Sequence, residues 1–231
     1  MVKKWAYGDA WEKYPIQEGE TWSDVWGSML CADLIDDQSL CKEWMIKLRG
    51  RVNMIYVDPP WGLSALNSFM TKAGKAHSVL DYNQWSDRFV KYFTLIKDIP
   101  IFCEIGRREY RRLVSKMERV GLTVVKTWPI VYHKKNPCFL VYAWYGSNGE
   151  VRAVPSGCDP TGMDDEDTPE YMLQSFRGVQ DISAVLDMAM GRGTVAVAAV
   201  RSGCLAYGIE MNKRRLAVTI ERCYKEVHAN T

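Results

Sequence analysis

Asp58-Pro59-Pro60-Trp61 places a carboxylate, carbonyls without competing N–H groups and an indole within four consecutive positions. It closes the apolar run Met54 to Val57, which is rich in strand formers, and two successive prolines cannot continue a ladder because neither has a hydrogen to donate. The strand must stop there and leave its end groups available. They suit an amino group on a flat heterocycle: Asp58 and the Pro59 carbonyl accept its two hydrogens while Trp61 stacks on the ring. The alternative is a plain proline turn opened by Asp58, since Asp-Pro is a common turn opener.

A second constellation lies near the other end. Ala184 to Leu186 is apolar, Asp187 follows, and Gly191, Gly193 and Thr194 precede the small-residue run Val195 to Val200. Glycines let backbone approach a ligand, and a helix opening at Thr194 points free N–H groups at a carboxylate or phosphate. The next apolar run, Cys204 to Ile209, ends in Glu210, seventeen positions after Gly193, near the spacing at which an acidic residue meets ribose hydroxyls. Gly191-x-Gly193-x-x-Ala196 also fits a nicotinamide-dinucleotide fingerprint. Against that, Asp187 repels a pyrophosphate at this turn, and only 38 residues follow Gly193.

Taken together, the two stretches resemble a known family. Asp58-Pro59-Pro60-Trp61 is similar to the catalytic motif of amino-methylating DNA methyltransferases, and Asp187-x-x-x-Gly191-x-Gly193 with Glu210 is similar to their S-adenosylmethionine (AdoMet) site. The catalytic motif precedes the cofactor motif, as in the circularly permuted β-group, and the resemblance runs from about Met29 to about Tyr224. It implies AdoMet as methyl donor, no metal, and transfer to the N6 amine of adenine in DNA. The catalytic residues are then Asp58, Pro59, Pro60 and Trp61, and the cofactor contacts Asp187, Gly191, Gly193, Thr194 and Glu210. The family also has an acidic residue that bonds the adenine amine of the cofactor; Asp33 is its counterpart here, with a helix N-cap as the alternative. The sequence departs from the family at Met188-Ala189 and Arg192, where Pro-Phe and Ser are usual, at Trp61, where Tyr is commoner, and at Thr168, where Lys is usual.

An exocyclic amine is a poor nucleophile because its lone pair is delocalised into the ring. Hydrogen bonds to Asp58 and the Pro59 carbonyl localise that pair, and alignment with the methyl donor supplies much of the rest. A base inside a duplex cannot reach such a site, so it is flipped out and stacked on Trp61. N4 methylation of cytosine poses the same problem, although the family more often has Ser at the position of Asp58 for it. Methylation of RNA or a free nucleotide is another reading. A third is a catalytically idle subunit that binds nucleic acid or a partner protein through its aromatic arm.

Both motifs need strands to carry them, and from Met29 onward strands and helices alternate. The pattern predicts an α/β fold with a mostly parallel sheet, helices on both faces and one antiparallel hairpin at the edge. With the resemblance, this is the Rossmann-like AdoMet-dependent methyltransferase fold. Met29 to Asp33 reads as a brief strand, Ser39 to Leu48 as a helix, and the strands bearing Asp58 and Asp187 as neighbours. Residues 62–80 lack periodicity and read as a mobile loop, in which His77 is either a phosphate contact or simply solvated. A helix from Asp81 buries Trp85, Phe89, Tyr92 and Phe93 on one face; Ile99 to Cys103 is the next strand. The helix Arg107 to Val120 carries Arg107, Arg108, Arg111, Arg112, Lys116 and Arg119, as a solvated face or as phosphate contacts. Leu122 to Trp128 and Cys138 to Trp144 form the hairpin, whose turn displays Lys134 and Lys135 as phosphate contacts or for solubility. Residues 146–169, acidic at Asp164 to Asp167, are the short candidate target-recognition region, with few base-edge donors beyond Asn148 and Arg152. The last helix, Asn212 to about Val227, buries Leu216, Ile220 and Cys223.

Length and composition set the outer bounds. With 231 residues, 47% hydrophobic and 25% charged, the chain has the make-up of one α/β domain, taken as 1–231. A net charge of +2 is too small for a general attraction to DNA, so contacts must come from local clusters. Residues 1–27 form an aromatic arm with Trp5, Tyr7, Trp11, Tyr14, Trp22 and Trp26, which either covers an edge of the core or offers a base-stacking or protein-contact surface. Seven scattered cysteines lack metal-ligand spacing and read as free thiols; no signal peptide or membrane span is visible, so the expectation is a cytoplasmic protein, bacterial or phage by resemblance. A homodimer or a partner subunit is left open.

Overall fold

The computed structural model describes residues 7–76, 80–146 and 151–229, so Trp5, His77 and Asn148 lie outside the described residues. The order begins with α1 (Ala10–Lys13), β1 (Thr21–Asp24), β2 (Gly27–Cys31), α2 (Gln38–Lys47) and β3 (Met54–Val57). It continues with α3 (Leu63–Ala73), α4 (Tyr82–Tyr92), β4 (Pro100–Gly106), α5 (Tyr110–Arg119), β5 (Thr123–Tyr132) and β6 (Asn136–Trp144). It closes with α6 (Thr168–Arg177), β7 (Ala184–Asp187), α7 (Thr194–Arg201), β8 (Leu205–Glu210) and α8 (Lys213–His228).

These strands form one sheet in the order β1-β2-β8-β7-β3-β4-β6-β5. The five from β2 to β4 are parallel, and β6 and β5 return antiparallel as the predicted hairpin. β3 and β7 are neighbours, with Ile55 opposite Leu186. From β3 the chain moves on to β4 on one side, and from β7 to β8 on the other, so the crevice beyond β3 and β7 is the topological switch point where open α/β sheets bind ligands. Both faces are covered. Phe89, Phe93 and Met117 pack with Ile55, Val57 and Ile101 on one, while Phe176, Leu216 and Ile220 pack with Tyr56, Phe102 and Tyr142 on the other. Buried on both sides, β3, β4 and β7 are apolar almost throughout, as central parallel strands must be.

The structure departs from the sequence reading in three places. Residues 63–73 are helix α3, where a mobile loop is expected; Leu66 and Met70, one turn apart, are its buried face, and Gly74 stops it in the left-handed region at φ 76°. The aromatic arm covers an edge of the core, as one of its two readings has it, and what departs is that it does so with a strand of its own: β1 pairs with β2 antiparallel, Ile16 and Trp26 are buried, and Tyr14 meets Trp22 edge-to-face at 5.7 Å. The hairpin strands run longer than expected, so the turn shrinks to His133–Lys135, with φ 50° at His133 and 59° at Lys134.

Candidate active site

The two prolines do what their chemistry requires. β3 ends at Val57, and the chain turns through Asp58, Pro59 and Pro60 to Trp61. The turn is braced from α4, whose N-terminus is fixed by a capping box between Asp81 and Gln84: the Tyr82 hydroxyl donates to the Pro60 carbonyl at 2.7 Å. Trp61 lies over the end of β4. A Cβ at Gly106 would come within 2.7 Å of the indole, so only glycine admits the ring there. Trp61 also meets Tyr132 of the hairpin, with centroids 4.6 Å apart and the rings tilted by 60°. The indole N–H donates to Asp58 Oδ1 at 2.9 Å.

Asp58 faces a cavity of about 430 Å³ that runs across the switch point. The same cavity is lined by Asp33, Asp187, Gly191, Thr194 and Glu210, so the structure brings these predicted residues together around one space. Each is placed by an element end. Asp187 closes β7 and takes the Ala189 N–H at 2.9 Å. Glu210 closes β8 and takes the N–H groups of Gly191 and Asn212, both at 2.8 Å. Gly191, at φ 54°, has only the Ala189 carbonyl and the Arg215 guanidinium within 4 Å of where a Cβ would stand, so a branched side chain there projects into open pocket space. Asp33 Oδ1 accepts from the Ile35 N–H at 2.8 Å; the N-cap position of α2 is Asp37, so Asp33 is not that helix's cap.

Five predicted residues, Pro59, Trp61, Gly193, Lys134 and Lys135, do not line that cavity. Gly193 does not line the cavity: its missing Cβ would fall 2.2 Å from Thr219 of α8, and its φ is 76°. Close approach of α7 to α8, rather than of backbone to a ligand, is what demands glycine there. Lys134 and Lys135 are exposed at the hairpin tip, outside the cavity wall, whereas their neighbours Tyr132 and His133 line it. Thr168 is buried and donates to the Asp164 carbonyl at 2.7 Å.

Burial governs the electrostatics. Asp58 is pushed up to about 7, first by burial and then by Asp165, against the indole N–H that favours its charged form. Asp187 is raised well above the usual carboxylate range by burial, and Glu210 is raised by burial against the restraining charge of Arg215. Asp165 is pushed to about 6, by burial and by its neighbour Asp164.

Several residues of the site are missed in the sequence. Glu104, fully within β4, accepts from the Tyr56 hydroxyl at 2.6 Å and is raised well above its ordinary value by burial and by Asp58. Its signal is an acid inside the apolar run Ile101 to Ile105, hidden when the strand is ended at Cys103. The acidic stretch of the candidate target-recognition region is stitched to the hairpin: Asp165 accepts from the His133 N–H at 2.8 Å, Asp164 from the Lys134 N–H at 2.7 Å, and Asp165 and Glu166 line the cavity. Phe69 and Met70 of α3 complete an apolar wall, with the Arg215 guanidinium 4.7 Å above the Phe69 ring. Among the described residues no group of three or more His, Cys, Asp or Glu could hold a metal ion, all seven cysteines are buried and unpaired, and no helix is long and apolar enough to cross a membrane.

No family model matches the chain, and no curated protein sequence is significantly similar to it. Solved structures do match by shape. M1.HpyAVI aligns over 85% of this chain and 98% of its own, at a TM-score of 0.57 and 16% identity. TTHA0409 from Thermus thermophilus, complexed with S-adenosyl-L-methionine, aligns over 80% of this chain and 91% of its own, at 0.55 and 16%. PvuII DNA methyltransferase, cytosine-N4-specific, aligns over 87% and 93%, at 0.52 and 12%. The fold is that of the AdoMet-dependent methyltransferases, mostly parallel with an antiparallel hairpin at the edge.

Proposed function

We propose that this chain, taken whole as one catalytic domain, is a DNA methyltransferase that uses AdoMet to methylate the N6 amine of adenine. The observation that carries the reading is the meeting of Asp58, which Trp61 holds by a hydrogen bond from behind the cavity wall, with Gly191, Thr194 and Glu210 around one cavity at the switch point. The likeness in shape to DNA methyltransferases, and to a protein bound to S-adenosyl-L-methionine, supports AdoMet-dependent methylation of DNA without choosing the base.

The residues present fit the cofactor. Glu210 keeps lone pairs for ribose hydroxyls beyond the two backbone N–H groups it accepts, Asp33 suits an adenine amine, and Leu66, Phe69, Met70 and Ile209 suit the flat face of a purine. Gly191 leaves the space that a branched side chain would take. Bound there, AdoMet supplies an electrophilic methyl group.

What the chain itself contributes is the handling of the amine. Asp58 accepts one amine hydrogen and the Pro59 carbonyl the other, drawing the nitrogen lone pair out of the ring. Trp61, seated on Gly106 and against Tyr132, offers a ring face for the flipped base. As the nitrogen gains the methyl carbon it must lose a proton, and a carboxylate titrating near 7 is a competent acceptor at neutral pH. The cytosine-N4 specificity of one structural neighbour makes that amine the second reading. Mass spectrometry of nucleosides from DNA incubated with the protein and AdoMet tests the assignment. N6-methyladenine is expected; N4-methylcytosine moves the protein to the second reading, and no methylated base removes the proposal.

A further inference from the structure

The basic run around α5 divides into two parts. At the far end, Lys116 and Arg119 are both held by Asp87, at 3.1 and 3.3 Å. At the near end, Arg107, Arg108 and Arg111 are not buried, and among the described residues none of the three has an ion-pair partner. Charged side chains on a helix are ordinarily its solvated face, and that account covers Arg119, whereas Lys116 is buried and bonded to Ser86 Oγ at 2.7 Å as well as to Asp87. The near end is different because of where it emerges.

Gly106, on which Trp61 rests, is the last residue of β4 and pairs with Cys138 of β6. Arg107 and Arg108 follow in the turn directly after Gly106, and Cys138 opposite Gly106 stands three and four residues from the exposed Lys135 and Lys134 at the hairpin tip. Tyr110 locks this corner: its ring packs on Phe139 at 4.4 Å and its hydroxyl meets Thr127 Oγ1 at 3.2 Å. The first turn of α5 is thereby fixed against the hairpin. The three arginines thus follow closely on the glycine that seats Trp61, and the two lysines follow closely on Tyr132, which meets its ring. Of the acids nearby, Glu109 pairs with Arg112 at 3.5 Å, while Asp164 and Asp165 accept hairpin N–H groups and Asp164 stays ionised close to Lys134, so the arginines are the stronger part of the cluster. On a chain of net charge +2, such a concentration is local, and like charges held together favour an approaching anion.

We propose that Arg107, Arg108 and Arg111, continued by Lys134 and Lys135, form the phosphate-contact surface for the DNA strand that delivers a base to Trp61. The inference rests on the DNA-methyltransferase reading and extends it to the residues that hold the substrate's backbone. Planar guanidinium groups grip phosphates through paired N–H donors and carry no sequence information, so the surface positions the strand while the pocket reads the base.

The test is the salt dependence of duplex DNA binding by fluorescence anisotropy. It compares wild type, the triple variant Arg107→Ala/Arg108→Ala/Arg111→Ala, and the control Arg119→Ala from the far end of the helix. AdoMet affinity is measured by calorimetry on the same preparations. The triple variant is expected to lower the slope of log affinity against log salt by about 2 to 3, and affinity at moderate salt by roughly tenfold or more. Arg119→Ala should leave the slope as in wild type, and AdoMet affinity should stay within about twofold throughout. An unchanged slope in a triple variant that binds AdoMet normally overturns this surface and leaves the methyltransferase reading standing. A wild type that binds AdoMet but shows no salt-dependent affinity for DNA overturns the DNA reading and the surface together.

Discussion

β3 and β7 lie side by side, and each is an apolar strand closed by an aspartate, yet the two carboxylates meet different surroundings. Asp187 is 3% exposed and its Oδ1 takes the N–H of Ala189, two residues on, so its own turn absorbs it. The residue two positions after Asp58 is Pro60, which has no N–H to give. Asp58 is left to the cavity, held by the indole of Trp61 at 2.9 Å. The lesson is that the prolines do more than end a strand. They deny the carboxylate a partner in its own backbone and so reserve it for a substrate.

The contrast can be broken in graded steps. The largest effect should come from Asp58→Ala, which removes the acceptor for the amine: incorporation of labelled methyl groups in a single turnover should fall about 10²–10³-fold. Pro60→Ala makes the first turn resemble the second by offering an N–H at the offset Ala189 occupies. It should lower the same rate about tenfold with the protein still folded, because a carboxylate bonded within its own turn is a weaker acceptor. A Pro60→Ala enzyme as fast as wild type would remove the role assigned to the prolines.

Protonation gives the next step. Asp58 titrates near 7 instead of 3.8, so folding favours its protonated form; that contribution is complete below about 4 and is lost as pH rises through 7. Asp58→Asn should therefore be more stable than wild type at pH 8, by about 1–2 kcal/mol given the group's access to the cavity, with the difference closing toward pH 4 in denaturant titrations. Activity runs the other way. The amine needs the ionised carboxylate, so the wild-type rate should drop about tenfold per pH unit below about 7. Trp61→Phe, the smallest change, keeps a ring face but loses the N–H that favours ionised Asp58: the midpoint of that profile should move upward and the rate fall a few-fold.

How much of this could be read from the sequence depended on whether the signal was local. Asp58 to Trp61 and Asp187 to Glu210 were legible because strand, turn and carboxylate are contiguous in each. That the strands bearing them are neighbours followed, since a chain alternating strand and helix has few ways to bring two such ends together. Helix α3 was not legible: Gly62, Ser64, Ser68 and Gly74 give the segment a loop's composition, and its helical stripe of Leu66 and Met70 shows only once there is a core to face. Gly193 looked like a ligand contact because its partner, Thr219, is 26 residues away on another helix. The role of Asp164 and Asp165 in holding the hairpin was not legible, because the N–H groups they accept from, at Lys134 and His133, lie about thirty positions earlier.

At the centre of this reading the two turns divide the labour, with Asp58 serving the substrate and the glycine turn serving AdoMet. Calorimetric titration of AdoMet into wild type, Asp58→Ala and Gly191→Val measures this division directly. Asp58→Ala should bind within a few-fold of wild type, whereas Gly191→Val, which puts a branched side chain at φ 54° beside the cavity, should lose most of its affinity while remaining folded. The reverse pattern, with cofactor binding lost in Asp58→Ala and kept in Gly191→Val, would contradict the account.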